Sequence, residues 1–163
     1  PRSQDDRGRY ADTACQHVKR ADDIRSRFSY PRMTIEPISD VLALSFMSLF
    51  PEMSDGEEWL DLCAWVDQGK KTPLLNLAVI DDMKIVGLFP CEVYENGIKI
   101  HACFLRGYRG EFAVEAAREA FEWIWQHTIY SRITAYIEPD HVKRYAERCG
   151  MALNADGLYE VRK

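Results

Sequence analysis

The chain predicts a mixed α/β domain built on a largely antiparallel sheet, and three observations carry that prediction. Short alternating or apolar runs interleave with helical stripes from Arg32 onward. Two hairpin signals, Asp81-Asp82 and Asn96-Gly97, join three successive strand-like runs. A glycine-bearing turn after Leu105 then leads directly into a long amphipathic helix. A helix entered through glycine presents free backbone N–H groups and the positive end of its dipole, which together suit a phosphate.

In chain order, residues 1 to 9 are polar and charged, and residues 10 to 28 carry a sparse helical stripe of Ala14, Val18, Ala21, Ile24 and Phe28. So thin a face cannot stand alone, so residues 1–31 read as an N-terminal helical arm that docks on the domain or on a partner. Met33 to Ser39 alternates as a strand, and Asp40 then opens a helix that Pro51 stops. Ser54 or Asp55 caps a second helix with Trp59, Leu62, Cys63 and Val66 on one face, ended by Gly69. LLNLAVID, KIVGLFPCEVYE and IKIHACFL follow as the three hairpin strands. The long helix has its core stripe at Ala113, Ala117, Ala120, Phe121 and Ile124, with Trp123 or Trp125 toward the rim. RITAYIE is the next strand, Pro139 and Asp140 open a helix through Cys149 that Gly150 caps, and LYEVRK closes the sheet. Six or so strands with helices on both faces result, over residues 32–163.

Length and composition exclude several classes. The 163 residues suffice for one sizeable core, and 47% hydrophobic with 29% charged residues describes a globular chain. A net charge of −5 argues against a general nucleic-acid binder. No apolar run approaches the roughly 20 residues of a membrane span, and no signal-peptide core opens the chain, so a cytoplasmic location is expected. Pro1 is what removal of an initiator Met would leave. Five cysteines occur without a C-x-x-C pair or a His at ligand spacing, so they read as reduced, buried thiols and no metal is expected.

The motifs MTIEPISDVLALSF, YRGEFAVEAAREAFEWIW and RITAYIEPDHVKRYAERCGM together resemble the GNAT superfamily, N-acetyltransferases that use acetyl-CoA. The resemblance covers about residues 32 to 163 in element order. It implies that the strand before the turn splays from its neighbour, so that Ala102, Cys103, Phe104 and Leu105 meet the pantetheine arm. It also implies that Arg109, Gly110, Glu111, Phe112 and Ala113 form the pyrophosphate turn, with Arg106 adding positive charge. The RG-x-x-A-x-E-A turn further resembles GNAT-like proteins of tailed bacteriophages, which implies a virion-associated or assembly role.

The chain also departs from that family. In neither register does the turn match the glycine pattern, and Phe112 is expected to plug a turn shortened by about one residue. Glu111 would face a ligand of its own sign. Where many members place a catalytic Tyr, this chain has Ala146; Tyr145 is adjacent but turned about 100° away on a helix. Catalytic candidates are Glu92 and His101, on the two strands flanking Asn96-Gly97, as general base, and Tyr145 as acid. Two functions therefore remain open. One is an acetyl-CoA-dependent transferase acting on an unidentified amine. The other is a GNAT-fold binding module, acting through residues 1–30 and its surface within a homo-oligomer or larger assembly.

Overall fold

The computed structural model describes residues 33–50 and 74–163, so the expected arm at residues 1–31 and the helix predicted after Ser54 lie outside the described residues. Within that range the strands are β1 (Thr34–Ile38), β2 (Leu74–Asp81), β3 (Lys84–Tyr94), β4 (Gly97–Ile100), β5 (Cys103–Phe104), β6 (Arg132–Ala135), β7 (Ala152–Leu153) and β8 (Tyr159–Arg162). The described α-helices are α1 (Asp40–Leu49), α2 (Glu111–His127) and α3 (Asp140–Arg148). One sheet joins all the strands in the order β1-β2-β3-β4-β6-β8-β7, with β5 paired to β3. Among the described strands only β4 and β6 pair in parallel. The mixed, mostly antiparallel sheet expected from the sequence is present, with eight strands where six were expected.

Both extra strands are short. β7 pairs with β8 beyond the Gly150 turn. β5 continues β4, because Cys91↔Ile100 and Leu88↔Cys103 keep one pairing register across His101 and Ala102. The strand edge along β3 is therefore unbroken, and β6 is the strand that leaves: it pairs with β4 only at Ile98↔Ile133 and Lys99↔Thr134.

Both hairpin turns sit one residue from their expected places. Asp82 and Met83, with φ of 48° and 61°, form the first turn, the left-handed pair that matches strand twist. In the second, Tyr94 pairs with Gly97, so Glu95 and Asn96 are the turn residues.

Helices cover both faces of the sheet. On one face Ala43, Leu44 and Met47 of α1 pack over Ala78, Leu88 and Cys103. Ser39 rather than Asp40 caps this helix, its Oγ accepting from Leu42 N at 3.3 Å. Asp40 instead accepts from buried Asn76 Nδ2 at 2.6 Å, tying the helix start to β2. On the other face Ala116, Ala117, Ala120, Phe121 and Ile124 of α2 and Ala146 of α3 enter the main core with Ile98, Ile100, Phe104 and Ile133. Each large apolar side chain so buried contributes roughly 1.5–3 kcal/mol. Trp123 and Trp125 are both half-buried against this core, and Trp123 stacks on His127 with ring centroids 4.4 Å apart.

Candidate functional site

The split in the sheet creates the site. His101 N donates to Pro90 O at 2.8 Å and Leu105 N to Val86 O at 3.0 Å. Strand alternation therefore turns the backbone groups of Ala102 and Phe104 away from β3, on the side that β6 vacates. Phe104 O accepts from Arg109 Nε at 3.5 Å. The Phe104 ring goes to the opposite purpose, packing under α2 at 5.4 Å from Phe89. Gly87 makes that fit: a Cβ there would lie 2.6 Å from the Phe104 ring.

A turn of 3-10 helix, Arg106–Tyr108, then leads to Gly110, which caps α2 with φ 81° and ψ −131°. That conformation belongs to glycine. No side chain caps the helix, so the first N–H groups of α2, on Glu111, Phe112 and Ala113, have no side-chain acceptor at the cap. A Cβ built on Gly107 or Gly110 meets nothing within 4 Å among the described residues, which leave the mouth of the turn open. Arg106 and Arg109 are exposed beside it.

Two expectations about this turn are corrected. Phe112 does not plug it: the half-buried ring packs edge-on against Tyr108 at 5.1 Å and lies 6.5 Å from Phe104, toward the core. A first-turn helix residue pointing inward fills a core position and leaves the amides clear. Nor does Glu111 stand as a bare negative charge, because it is ion-paired with Arg148 at the end of α3. The open mouth, uncapped amides and flanking arginines fit a coenzyme carrying a pyrophosphate.

At the other end of the split strand the structure brings the two base candidates together. His101 Nε2 lies 3.1 Å from Glu92 Oε1. Because the turn is Glu95-Asn96, Glu92 stands opposite Lys99 and diagonal to His101, within reach of long side chains on one face. Lys99 Nζ donates to the same Oε1 at 3.3 Å, and Tyr94 OH donates to Oε2. Partial burial pushes the Glu92 carboxyl up, but bonds from Tyr94 and His101 and the charge of Lys99 outweigh it and hold it below the usual carboxylate range. Glu92 in turn pushes the Tyr94 phenol up to about 12. Tyr94 and Lys99 were missed in the sequence. Two-residue alternation from Glu92 and from His101 is the signal that could have found them.

Tyr145 is exposed on α3, and its neighbour Ala146 takes the inward position in the core. Cys103 is buried beneath α1, and burial raises the thiols of Cys91 and Cys149. Among the described residues no group of three His, Cys, Asp or Glu side chains could hold a metal ion, and no described helix is long and apolar enough to cross a membrane.

A split-edge, mostly antiparallel α/β sheet with a glycine-opened helix at its mouth defines the class of fold. Residues 30–152 match the family model of the acetyltransferase (GNAT) domain, and the chain belongs to that family. Solved structures agree on the fold. A spermidine N-acetyltransferase chimera of SpeG from Vibrio cholerae and hSSAT superposes with a TM-score of 0.60 at 13% identity, over 80% of this chain and 95% of that one. Aminoglycoside acetyltransferase AAC(6')-Ib with coenzyme A and kanamycin gives 0.60 at 12% identity, over 81% and 95%. The Campylobacter jejuni N-acetyltransferase PseH with acetyl coenzyme A gives 0.57 at 9% identity, over 81% and 99%. No curated protein matches the chain in sequence.

Proposed function

We propose that this protein is an acetyl-CoA-dependent N-acetyltransferase acting on a small amine. The observation that carries the reading is that one strand path, 97–105, carries His101 at its middle, paired with Glu92 of β3, and runs at its far end into an open, uncapped helix N-terminus. Family membership supports it.

Acetyl-CoA, when bound, supplies an acetyl group activated as a thioester. The N–H groups of Glu111, Phe112 and Ala113, with Arg106 and Arg109, would hold its pyrophosphate, and Gly110 keeps their approach clear. The outward backbone of Ala102 and Phe104, on the segment Ala102–Leu105, would pair with its pantetheine arm. His101 takes the proton of the attacking amine. Since ionised Glu92 accepts at Nε2, the proton on that nitrogen is fixed and Nδ1 carries the basic lone pair. Glu92 thereby orients the ring, while Tyr94 and Lys99 keep the carboxylate ionised. Tyr145 remains the candidate acid; full turnover by Tyr145→Phe would remove it from the mechanism.

Calorimetric titration with acetyl-CoA tests binding, with a Kd near micromolar expected, or about −8 kcal/mol. Thiol release on adding amines tests transfer. No heat at high micromolar acetyl-CoA would overturn the reading and leave the GNAT fold as a binding module.

A further inference from the structure

A cavity of about 250 Å³ opens on the sheet by the β3–β4 hairpin, lined in part by Tyr94, Lys99, Arg132, Thr134 and Leu158; His101, two residues beyond Lys99, does not line it. One carboxylate joins it to His101: Glu92 Oε1 lies 3.3 Å from Lys99 Nζ and 3.1 Å from His101 Nε2. On the opposite side Arg132 Nε donates to Glu160 Oε2 at 2.7 Å, and Glu160 also accepts from Arg162 and from Asn154. The bond from Nε leaves the outer pair of guanidinium nitrogens of Arg132 uncommitted to Glu160.

The sorting of charge is the telling feature. Lys99 and Arg132 line the cavity, whereas their carboxylate partners Glu92 and Glu160 are not among its lining residues. Such a cationic lining is local, since the chain as a whole carries −5. Each cation is paired with a carboxylate, but the groups that line the cavity are the cations, so a carboxylate there would meet a guanidinium and an ammonium as donors, which a polycationic amine could not use. The volume suits a molecule of amino-acid size rather than a large one.

We infer that the acceptor is a small amine bearing a carboxylate, which lies against Lys99 and Arg132 while the amine faces His101. This rests on the N-acetyltransferase reading above. The solved spermidine and kanamycin enzymes named above take polycations, so an acceptor with a carboxylate would differ from theirs.

Acetylated amines probe the cavity without needing turnover. With coenzyme A present, calorimetry on the full chain should show N-acetylglutamate binding at least tenfold tighter than N1-acetylspermidine. Lys99→Gln and Arg132→Gln should each erase most of that preference, with near-ultraviolet circular dichroism confirming the fold; if Arg132→Gln unfolds, Lys99→Gln decides alone. Equal binding, a preference for the polyamine, or a preference unmoved by the substitutions overturns the inference. The two readings fail differently. Anion preference without any thiol release from acetyl-CoA would sink the transferase and keep the cationic subsite, whereas thiol release driven by spermidine would do the reverse.

Discussion

The two ends of the split strand, 97–105, solve their problems with different parts of the chain. At the α2 end the candidate groups are backbone amides and an open space, and the side chains of Phe112 and Glu111 turn to a core position and to Arg148. At the β4 end the candidate groups are four side chains, Glu92 and Tyr94 of β3 with Lys99 and His101 across from them, held by strand register. A backbone site tolerates unusual residues as long as the main-chain path survives, because every residue but proline supplies the same donor. A side-chain site does not. The departures of the turn from the family's glycine pattern are therefore weaker evidence against coenzyme binding than the sequence suggests.

The sharpest way to break this contrast is to remove one group from each end. His101→Ala should cut the rate of thiol release by about 10²–10⁴-fold, the usual worth of a general base, while acetyl-CoA affinity stays within about twofold. A loss of affinity instead of rate would mean that His101 shapes the strand and does not move a proton. Gly110→Val should do the opposite. At φ 81° a β-branched residue is strained by about 1–3 kcal/mol, so either the turn shifts and affinity falls about tenfold, or the fold loses that much stability. Calorimetry and thermal melting measure the two together, and a variant normal in both would show that the turn does not depend on glycine.

Phe112→Ala sharpens the same contrast with a smaller effect. With the ring half-buried against Tyr108 and Phe104, its removal should cost about 1–3 kcal/mol of stability. Acetyl-CoA affinity should not rise. A clear gain in affinity would restore the plug that the sequence implied, and would mean that the ring swings out of the core in solution.

Legibility in the sequence follows the same division. The order of elements along the chain and most of the α2 core stripe could be read because periodicity survives any local irregularity: Ala117, Ala120, Phe121 and Ile124 reach the core, while Ala113 stays half-buried against it. The pairing of Glu92 with His101 could be anticipated from a hairpin, but its diagonal geometry could not, since Asn96-Gly97 signals a turn without fixing whether residue 97 lies inside it. The direction of Phe112 was invisible for a different reason. Its neighbour Tyr108 is set by a 3-10 turn that no local propensity announces. The Glu111–Arg148 pair spans 37 residues and depends on how α3 lies on α2, a tertiary fact with no sequence signal.

The subtlest difference between the two ends is in their response to acid. Backbone amides do not titrate, whereas the face carrying the base and the cavity is wired through carboxylates. Glu160 is the extreme case: bonds from Arg162, Arg132 and Asn154 hold its carboxyl down to about 2, against about 4.3 in an unfolded chain. A folded-state value below the unfolded one stabilises fully above the unfolded value, and that contribution is lost as pH falls toward the folded one. The melting temperature of wild type should therefore exceed that of Glu160→Gln by a constant margin between pH 6 and 8. The margin should shrink from about pH 4.5 and be nearly gone by about pH 2. An unchanged margin across that window would mean that the carboxylate charge does not hold β6 to β8, and that packing alone places Arg132 at the cavity.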